Sequence, residues 1–386
     1  MANNSYDHHM QEDVVIEILS RLPVKSLLRF RCVCKYWCIL LKNSNFINKQ
    51  LNHQNRSAYL LVERYSYGTH IYALALFHVE PPISMPIVYH DLEDPHTAKN
   101  PSIIDTCNGV ICFWDGHEFA LWNPNIREFK SLPVSYPNLP PYTKAYCEYF
   151  GFGLDPVTNN YKVVWIQFLW DEKDDFPHDP AVVLVYNQGT DTWTPVETDF
   201  SQADNLSESL GNTCINGVYH WLVSDSDFSN HMVLQFDMKK DAFQKILEPP
   251  YIQNSQIGYL AFYNESIAMV IYDPNEIEKQ FDIWVMMEEG YWTKQLTIGP
   301  FSDVEGPLGC SKKGDFIFYS NISHLVIYNP ITKEIKYDEP HGELYSLKVF
   351  VYEESLASVK GENECSEGEN TLWSELKCFS RSIRLL

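Results

Sequence analysis

The chain has 386 residues, of which 51 are acidic and 29 basic, so its formal net charge is −22. A chain this acidic binds nucleic acid and anionic membranes poorly, because both are polyanionic. With 45% hydrophobic and 14% aromatic residues it is not disordered either, and its length suits about two or three domains.

The charge is distributed unevenly along the chain. Residues 1–50 contain seven basic and four acidic side chains, a net charge of +3, so the other 336 residues carry −25. This asymmetry indicates separate partners for a small basic head and a large acidic body. The polar N-terminus lacks the apolar stretch of a secretory signal, and no segment reaches the roughly 18 apolar residues of a membrane helix. We therefore expect a cytoplasmic protein whose ten cysteines are reduced thiols.

Four short helices are predicted between Glu12 and Leu51. The first has the i, i+3/i+4, i+7 spacing that puts one apolar stripe on a helix, carried by Val14, Val15, Ile18, Leu19 and Leu22. Pro23 ends it, and further helices are expected over Lys25–Cys32, over Lys35–Lys42 and after a capping Asn45. About forty residues approach the lower size limit of an independent domain. We therefore expect part of this apolar surface to be buried against a partner or against the body.

Three cysteines of the head, Cys32, Cys34 and Cys38, lie close together in the sequence. They lack the CxxC spacing of a zinc site, and no second pair of ligands is nearby. We expect them to be small buried side chains on packed helices.

The segment from Ile16 to Trp37 resembles the F-box of plant F-box proteins, and the resemblance covers about forty residues. It implies that residues 8–55 form a helical domain that docks on a Skp1-type adaptor and through it joins a cullin-based ubiquitin ligase. The residues expected to bind Skp1 are Ile18, Leu19, Leu22, Pro23, Leu27, Val33 and Trp37. The family usually has proline before the Glu–Asp pair of the first helix, whereas here Gln11 precedes Glu12. We expect this change to weaken the start of the helix slightly and to leave docking intact.

After about Arg56 the apolar pattern changes from helical to alternating. Short runs of β-branched and aromatic residues are separated by Asn, Asp, Pro and Gly, which indicates antiparallel strands joined by turns. The predicted strands include Ala58–Arg64, Val110–Trp114, Tyr161–Phe168, Val182–Tyr186, Met232–Phe236, Ile267–Tyr272, Phe281–Met286, Phe316–Tyr319 and Leu325–Tyr328. An all-β body is therefore predicted over residues 58–360.

A weak repeat runs through this body: an apolar strand, a polar turn and then a second aromatic residue. The first strand of each repeat ends at Trp122, Tyr186, Phe236, Trp284 and Tyr328, which are 64, 50, 48 and 44 residues apart. That spacing is typical of four-stranded propeller blades. Glycine-containing hairpin turns at Gly109, Gly217 and Gly314 accompany three of the repeats.

Five blades are recognisable directly, and a sixth would combine Ala58–Tyr89 with the late strand Lys348–Tyr352. A strand from the far end of the chain would close the ring and leave no open sheet edge. The predicted fold class is α+β multidomain, a small helical F-box followed by an all-β propeller-like domain of about six blades. A flattened sandwich or an irregular barrel is the alternative.

Several motifs of the body resemble the kelch-like F-box-associated domain. They are Gly151–Asp155, Tyr161–Val164, Tyr263–Ala268, Ile283–Met286, Trp292–Lys294, Ile298–Phe301 and Tyr352–Lys360. Among such proteins these motifs are most similar to the S-locus F-box and S-locus-F-box-like proteins of flowering plants. The resemblance implies a propeller that binds a protein substrate for ubiquitination, and in the S-locus subgroup a basic pistil S-ribonuclease, the target in pollen self-incompatibility.

Catalytic and cofactor motifs are missing from the sequence. Gly151-Phe152-Gly153 lacks the third glycine and the following helix of a dinucleotide-binding loop, and P-loop, HExxH and GxSxG motifs do not occur. The acidic segment Asp171–Pro180, with His178, does not match the EF-hand spacing and is expected to be a solvated loop. We expect no cofactor, no metal and no catalysis by this chain.

Two alternatives to an S-locus F-box protein remain open. One is a generic F-box adaptor for an unrelated substrate. The other is a propeller enzyme, which would need His, Tyr, Cys or acidic residues that recur on the inner strands of several blades, whereas the inner-strand candidates read as apolar or small. Residues 361–386, acidic and then mixed in composition, are expected to form a flexible tail.

Overall fold

The computed structural model describes residues 12–52, 58–66, 71–78, 88–92, 102–134, 139–198, 211–224, 231–247, 256–288, 291–322, 324–338 and 347–360. The tail expected over residues 361–386 lies outside the described residues.

The head consists of four short helices: α1 (Glu12–Ser20), α2 (Val24–Phe30), α3 (Lys35–Leu40) and α4 (Ser44–Leu51). Glu12 and Asp13 occupy the first turn of α1, where the helix dipole favours acidic side chains. The cap of α4 is Asn43 and not the expected Asn45, because the Asn43 side chain accepts hydrogen bonds from the N–H groups of Asn45 (2.9 Å) and Phe46 (3.4 Å). Asn45 is therefore already inside the helix.

The body contains six four-stranded antiparallel sheets among the described residues. Blade 1 contains β1 (Ala58–Ser66), β2 (Ile71–His78), β3 (Val88–Leu92) and the last strand of the chain, β24 (Lys348–Glu353). Blade 2 contains β4 (Ser102–Cys107), β5 (Val110–Trp114), β6 (Phe119–Asn123) and β7 (Glu128–Ser131). Blade 3 contains β8 (Thr143–Leu154), β9 (Tyr161–Asp171), β10 (Phe176–Asn187) and β11 (Thr192–Val196).

The other three blades follow in chain order. Blade 4 contains β12 (Asn212–Ile215), β13 (Val218–Ser224), β14 (His231–Asp237) and β15 (Ala242–Leu247). Blade 5 contains β16 (Ile257–Tyr263), β17 (Ser266–Tyr272), β18 (Lys279–Glu288) and β19 (Tyr291–Phe301). Blade 6 contains β20 (Val304–Cys310), β21 (Phe316–Ser320), β22 (Leu325–Tyr328) and β23 (Ile335–Asp338).

The ring is closed by the last strand of the chain. β24 pairs with β1 in antiparallel register from Ala58 opposite Glu353 to Glu63 opposite Lys348. The innermost strands β24, β4, β8, β12, β16 and β20 contact one another in that cyclic order. The predicted six-bladed propeller and its closing strand are therefore confirmed, and the sandwich and barrel alternatives are wrong.

The aromatic repeat corresponds to the hairpin between the third and fourth strands of each blade. In blades 2, 3 and 4 the two aromatic residues are direct cross-strand partners, namely Trp122 with Phe129, Tyr186 with Trp193, and Phe236 with Phe243. Such cross-strand aromatic pairs stabilise antiparallel sheets. In blade 5 the register shifts within this hairpin, and Trp292 instead faces Met286.

The propeller has two faces that differ in which turns they carry. Consecutive strands are antiparallel, so turns between first and second strands lie on one face, together with those between third and fourth strands. The turns between second and third strands lie on the other, which we call the far face. The helical head is on the first, the helix-bearing face, since the Asn48 side-chain amide donates a 3.0 Å hydrogen bond to Asn159 in the β8–β9 turn.

Candidate functional sites

The structure separates the seven residues predicted to bind Skp1 by their exposure. Ile18 is 47% exposed and Val33 is 60% exposed, and Pro23 is exposed as well. Leu22 and Trp37 are half-buried, whereas Leu19 and Leu27 are buried. The predicted set is thus not brought together on one surface.

Leu19 and Leu27 are buried because they form the interior of the head. They belong to one apolar cluster with Val24, Leu41 and Phe46 from the neighbouring helices. In this structure they pack inside the head and support its outer surface.

Three further apolar side chains of the head are exposed, namely Val14, Tyr36 and Ile39. They are not among the residues predicted to bind Skp1. Val14 precedes Ile18 by one helical turn, and Tyr36 precedes Ile39 by three residues, so each pair shares one side of its helix. That i, i+3/i+4 pairing of apolar residues, away from the buried stripe, is the signal that could have found them.

The helices of the head are also joined by charged groups. Glu17 forms ion pairs with Lys49 of α4 (2.8 Å) and with Arg21 (2.5 Å). Hydrogen bonds from Lys49 and then Arg21 lower the pKa of Glu17 to about 2. The Tyr36 hydroxyl donates a 2.5 Å hydrogen bond to Glu12, which raises the pKa of Tyr36 to about 12 and links α3 to the start of α1.

The expectation that the head cysteines are buried is wrong. Cys32 and Cys34 are exposed and Cys38 is half-buried, because the turn from Arg31 to Cys34 lies on the outside of the head. The Cys34 sulfur accepts a hydrogen bond from the Trp37 N–H at 3.5 Å and so caps α3. Within the described residues no cluster of three or more His, Cys, Asp or Glu side chains is placed to hold a metal ion.

The head packs directly on blades 2 and 3. Its buried residues form one continuous apolar cluster with blade residues that include Leu121 and Phe152, and with Leu356 and Val359, which follow the closing strand. This confirms that part of the apolar surface of the head is buried against the body. Arg31 lies near Glu128 of β7, which raises its pKa, but burial of the guanidinium has the larger effect and lowers it.

A cavity of about 660 Å³ lies inside the ring and is lined mainly by the innermost strands β4, β12, β16, β20 and β24. The expectation that inner-strand positions are apolar or small is wrong in part. Successive side chains of a strand point to opposite faces, and polar and thiol residues are among those that face the cavity. The polar and thiol side chains that line the cavity include Asp105, Cys107, Cys214, Tyr259 and Cys310.

Burial determines the pKa values of the ionisable side chains that line this cavity. Burial raises the pKa of Asp105 to about 7, although hydrogen bonds from the Thr106 N–H and from Tyr219 oppose the shift. Burial also raises the pKa of Cys107 to about 12 and the pKa of Cys214 well above its usual value. The thiols are therefore protonated at neutral pH and are poor nucleophiles.

Two further charged groups of the cavity lining are paired with each other. Lys312 forms a 2.8 Å ion pair with Glu353 at the end of β24. No histidine is found among the described residues that line the cavity.

A short helical unit is thus fixed on one face of a six-bladed propeller. The F-box domain matches residues 8–49, and the family described as the F-box associated beta propeller domain matches residues 76–343. The chain belongs to the F-box proteins that carry this associated propeller domain.

The chain is also similar to F-box proteins of Arabidopsis thaliana. The chain is 27% identical over 333 residues to an F-box/kelch-repeat protein, covering 83% of this chain and 88% of the relative. It is 26% identical over 343 residues to an F-box/LRR-repeat protein, covering 84% and 77%. Similarity specific to S-locus proteins is not among these findings.

Solved structures show only distant likenesses. An oligogalacturonate lyase in complex with manganese has 9% sequence identity and a TM-score of 0.43, covering 72% of this chain and 77% of that chain. This likeness does not bear on function. Among the helices of the described residues, none is long and apolar enough to cross a membrane.

Proposed function

We propose that this chain is the substrate-recognition subunit of a cytoplasmic Skp1–cullin–F-box ubiquitin ligase, in which residues 8–55 bind the Skp1-type adaptor and residues 58–360 bind the substrate. The F-box match and the exposed apolar side chains of the head support this proposal. Ile18 and Val33 remain accessible although Leu19 and Leu27 fill the interior. Unpaired apolar side chains on a small domain are typical of a protein-binding surface.

In this role the chain positions two proteins and catalyses no reaction itself. The conjugating enzyme recruited through the cullin carries out ubiquitin transfer, which leads to proteasomal degradation of the substrate. The rigid packing of the head on blades 2 and 3 holds the substrate-binding propeller in one orientation relative to the adaptor.

A substitution in the head tests adaptor binding. Ile18→Asp together with Val33→Asp, in the full-length chain, should weaken capture by a purified Skp1-type adaptor by about a hundredfold, because charges then occupy the centre of an apolar contact. Circular dichroism should stay unchanged, since both side chains are exposed. Ile277→Asp, an equally drastic change at an exposed position of the propeller, is the matched control and should bind normally. Wild-type binding by the double variant would contradict the proposal.

For the substrate we propose a basic protein, with a pistil S-ribonuclease as the candidate implied by the S-locus resemblance. The −25 charge of the residues after position 50 supports a cationic partner, because complementary charge accelerates association. The test measures binding of the chain, in complex with Skp1, to basic pistil ribonucleases at two salt concentrations. Lack of binding at low salt would remove the S-ribonuclease and leave an adaptor for an unrelated substrate.

A further inference from the structure

The second and third strands of blade 3 project beyond their neighbours on the far face. β9 has 11 residues, whereas β5 of the adjacent blade 2 has five. Both strands start directly after the turn on the helix-bearing face, so β9 extends about 20 Å further at roughly 3.3 Å per residue. The segment predicted to be a solvated loop is therefore mostly hairpin, with a turn only over residues 172–175.

Exposed aromatic rings lie near the turn of this hairpin. Tyr142 is 70% exposed and Tyr146 is 44% exposed. The Tyr146 ring stands perpendicular to Trp170, with 5.9 Å between ring centroids, and to Phe168 at 6.5 Å. Tyr146 and Trp170 thus form an aromatic face over the buried Phe168, and Tyr142 lies beside it next to the turn of the hairpin.

The backbone holds this aromatic face in an irregular conformation. The β8–β9 register shifts between Ala145 and Cys147, so Tyr146 is the extra residue of a β-bulge, a feature that redirects a side chain. Tyr142 has a φ of 65°, which is rare for a bulky residue, and its carbonyl accepts a 2.8 Å hydrogen bond from the Glu172 N–H. The turn of the hairpin thus fixes the position of Tyr142.

The turn beside the aromatic face is acidic. Its sequence is Asp171-Glu172-Lys173-Asp174-Asp175, and Lys144 on β8 is already paired with Glu172 at 3.1 Å. Asp175 accepts a 3.2 Å hydrogen bond from the Trp170 indole, which places a carboxylate next to the aromatic face. Carboxylates beside exposed aromatic faces suit one kind of side chain, a lysine or arginine, through ion pairing and cation–π contact.

We propose that this blade-3 hairpin surface, formed by Tyr142, Tyr146, Trp170 and the turn 171–175, binds a lysine- or arginine-bearing segment of the protein substrate. The inference rests on the proposed function and names where the substrate binds. The net charge of −22 favours the approach of such a segment. β9 begins beside the turn that contacts α4 and ends at this surface roughly 33 Å away, so a substrate bound here lies clear of the adaptor.

The test uses a fluorescent peptide of alternating Arg, Lys, Gly and Ser, with a Glu-containing peptide as the negative probe, and measures fluorescence anisotropy with the full-length chain. Tyr146→Ala should raise the Kd of the basic peptide about fivefold, and Tyr142→Ala combined with it more than about tenfold. Because these substitutions leave the net charge unchanged, a general electrostatic attraction predicts no loss. Unchanged binding by the double variant would therefore overturn the inference.

Variants that remove acidic side chains show which part of the propeller surface attracts the basic peptide. Asp174→Asn with Asp175→Asn should raise the Kd at least about fivefold and reduce its salt dependence. The matched control, Glu276→Gln with Glu278→Gln, removes the same charge from an exposed far-face turn of blade 5 and should change the Kd less than twofold. Equal losses in both pairs would indicate attraction by net charge only and contradict a site on blade 3.

Capture by the Skp1-type adaptor is measured for every variant. This distinguishes a failure of the proposed function from a failure of the blade-3 inference. If the Skp1-type adaptor binds normally and the basic peptide does not bind the wild-type chain, only the blade-3 inference is wrong. If the adaptor itself does not bind the wild-type chain, the proposed function is wrong.

Discussion

The closing strand offers a sharp test of the fold through one buried hydroxyl group. Tyr352 on β24 is 1% exposed, and its hydroxyl donates a hydrogen bond to the side-chain carbonyl of Asn125, which is itself buried. Its ring packs among residues of blades 1 and 2, at the point where the ring closes. Tyr352→Phe keeps the ring and removes only this donor.

The expected cost follows from burial. Without the hydroxyl, the Asn125 oxygen is left unpaired away from water, which costs about 1–3 kcal/mol of the free energy of unfolding. The matched control is Tyr337→Phe: this hydroxyl also donates a hydrogen bond, to Asp303 at 2.6 Å, but Tyr337 is 48% exposed. Water replaces the lost partner there, so we expect a cost within about 0.5 kcal/mol.

Urea unfolding followed by circular dichroism measures both variants. With an m-value of about 3 kcal/mol/M, the midpoint should fall by about 0.3–1 M for Tyr352→Phe and by less than about 0.2 M for Tyr337→Phe. Equal shifts for the two variants would refute the reasoning, because the cost would then not depend on burial.

Two further predictions concern the inner part of the ring. Gly109 has a φ of +74°, and a Cβ there would lie 2.5 Å from the Glu353 carbonyl oxygen, whereas Gly116 has a φ of +90° and nothing within 4 Å. Gly109→Ala should therefore lower the melting temperature clearly more than Gly116→Ala, and equal decreases would show that the contact with β24 is unimportant. Because the pKa of Asp105 is raised to about 7, the folded chain retains a proton that the unfolded chain has lost, and stability falls as pH rises from about 4 to 7. Asp105→Asn should flatten this dependence in thermal unfolding at pH 5 and 8 and stabilise the chain at pH 8, by about 1.4 kcal/mol per pKa unit at most, and an unchanged pH profile would contradict it.

The local pattern of apolar, aromatic and turn residues was sufficient to predict most of the fold. The β5 strand begins and ends at the predicted residues, and the pairing of Trp122 with Phe129 explains why aromatic residues recur on either side of a polar turn. The closing strand was predictable because a propeller cannot leave the edge of its first blade open, and only one strand remained unassigned near the end of the chain.

The candidate sites were less predictable, because exposure depends on neighbours that are distant in sequence. The resemblance to the F-box grouped Leu19 with Ile18, yet they are consecutive on a helix and point in different directions, one inward and one outward. The length of β9 was underestimated because the polar Asp171 was assigned to a loop, although strand pairing with β8 and β10 continues as far as this residue.

By itself, the amino-acid sequence determined the helical head, the antiparallel strands and the six-blade repeat of this protein, because periodicity and turn residues are local properties of the chain. Only the tertiary structure decided which apolar residues of the head face solvent, and which side chains line the cavity. It also decided that the head is fixed on blades 2 and 3 and that an aromatic and acidic hairpin projects from the far face. Those features depend on packing between segments tens to hundreds of residues apart, which no local pattern encodes.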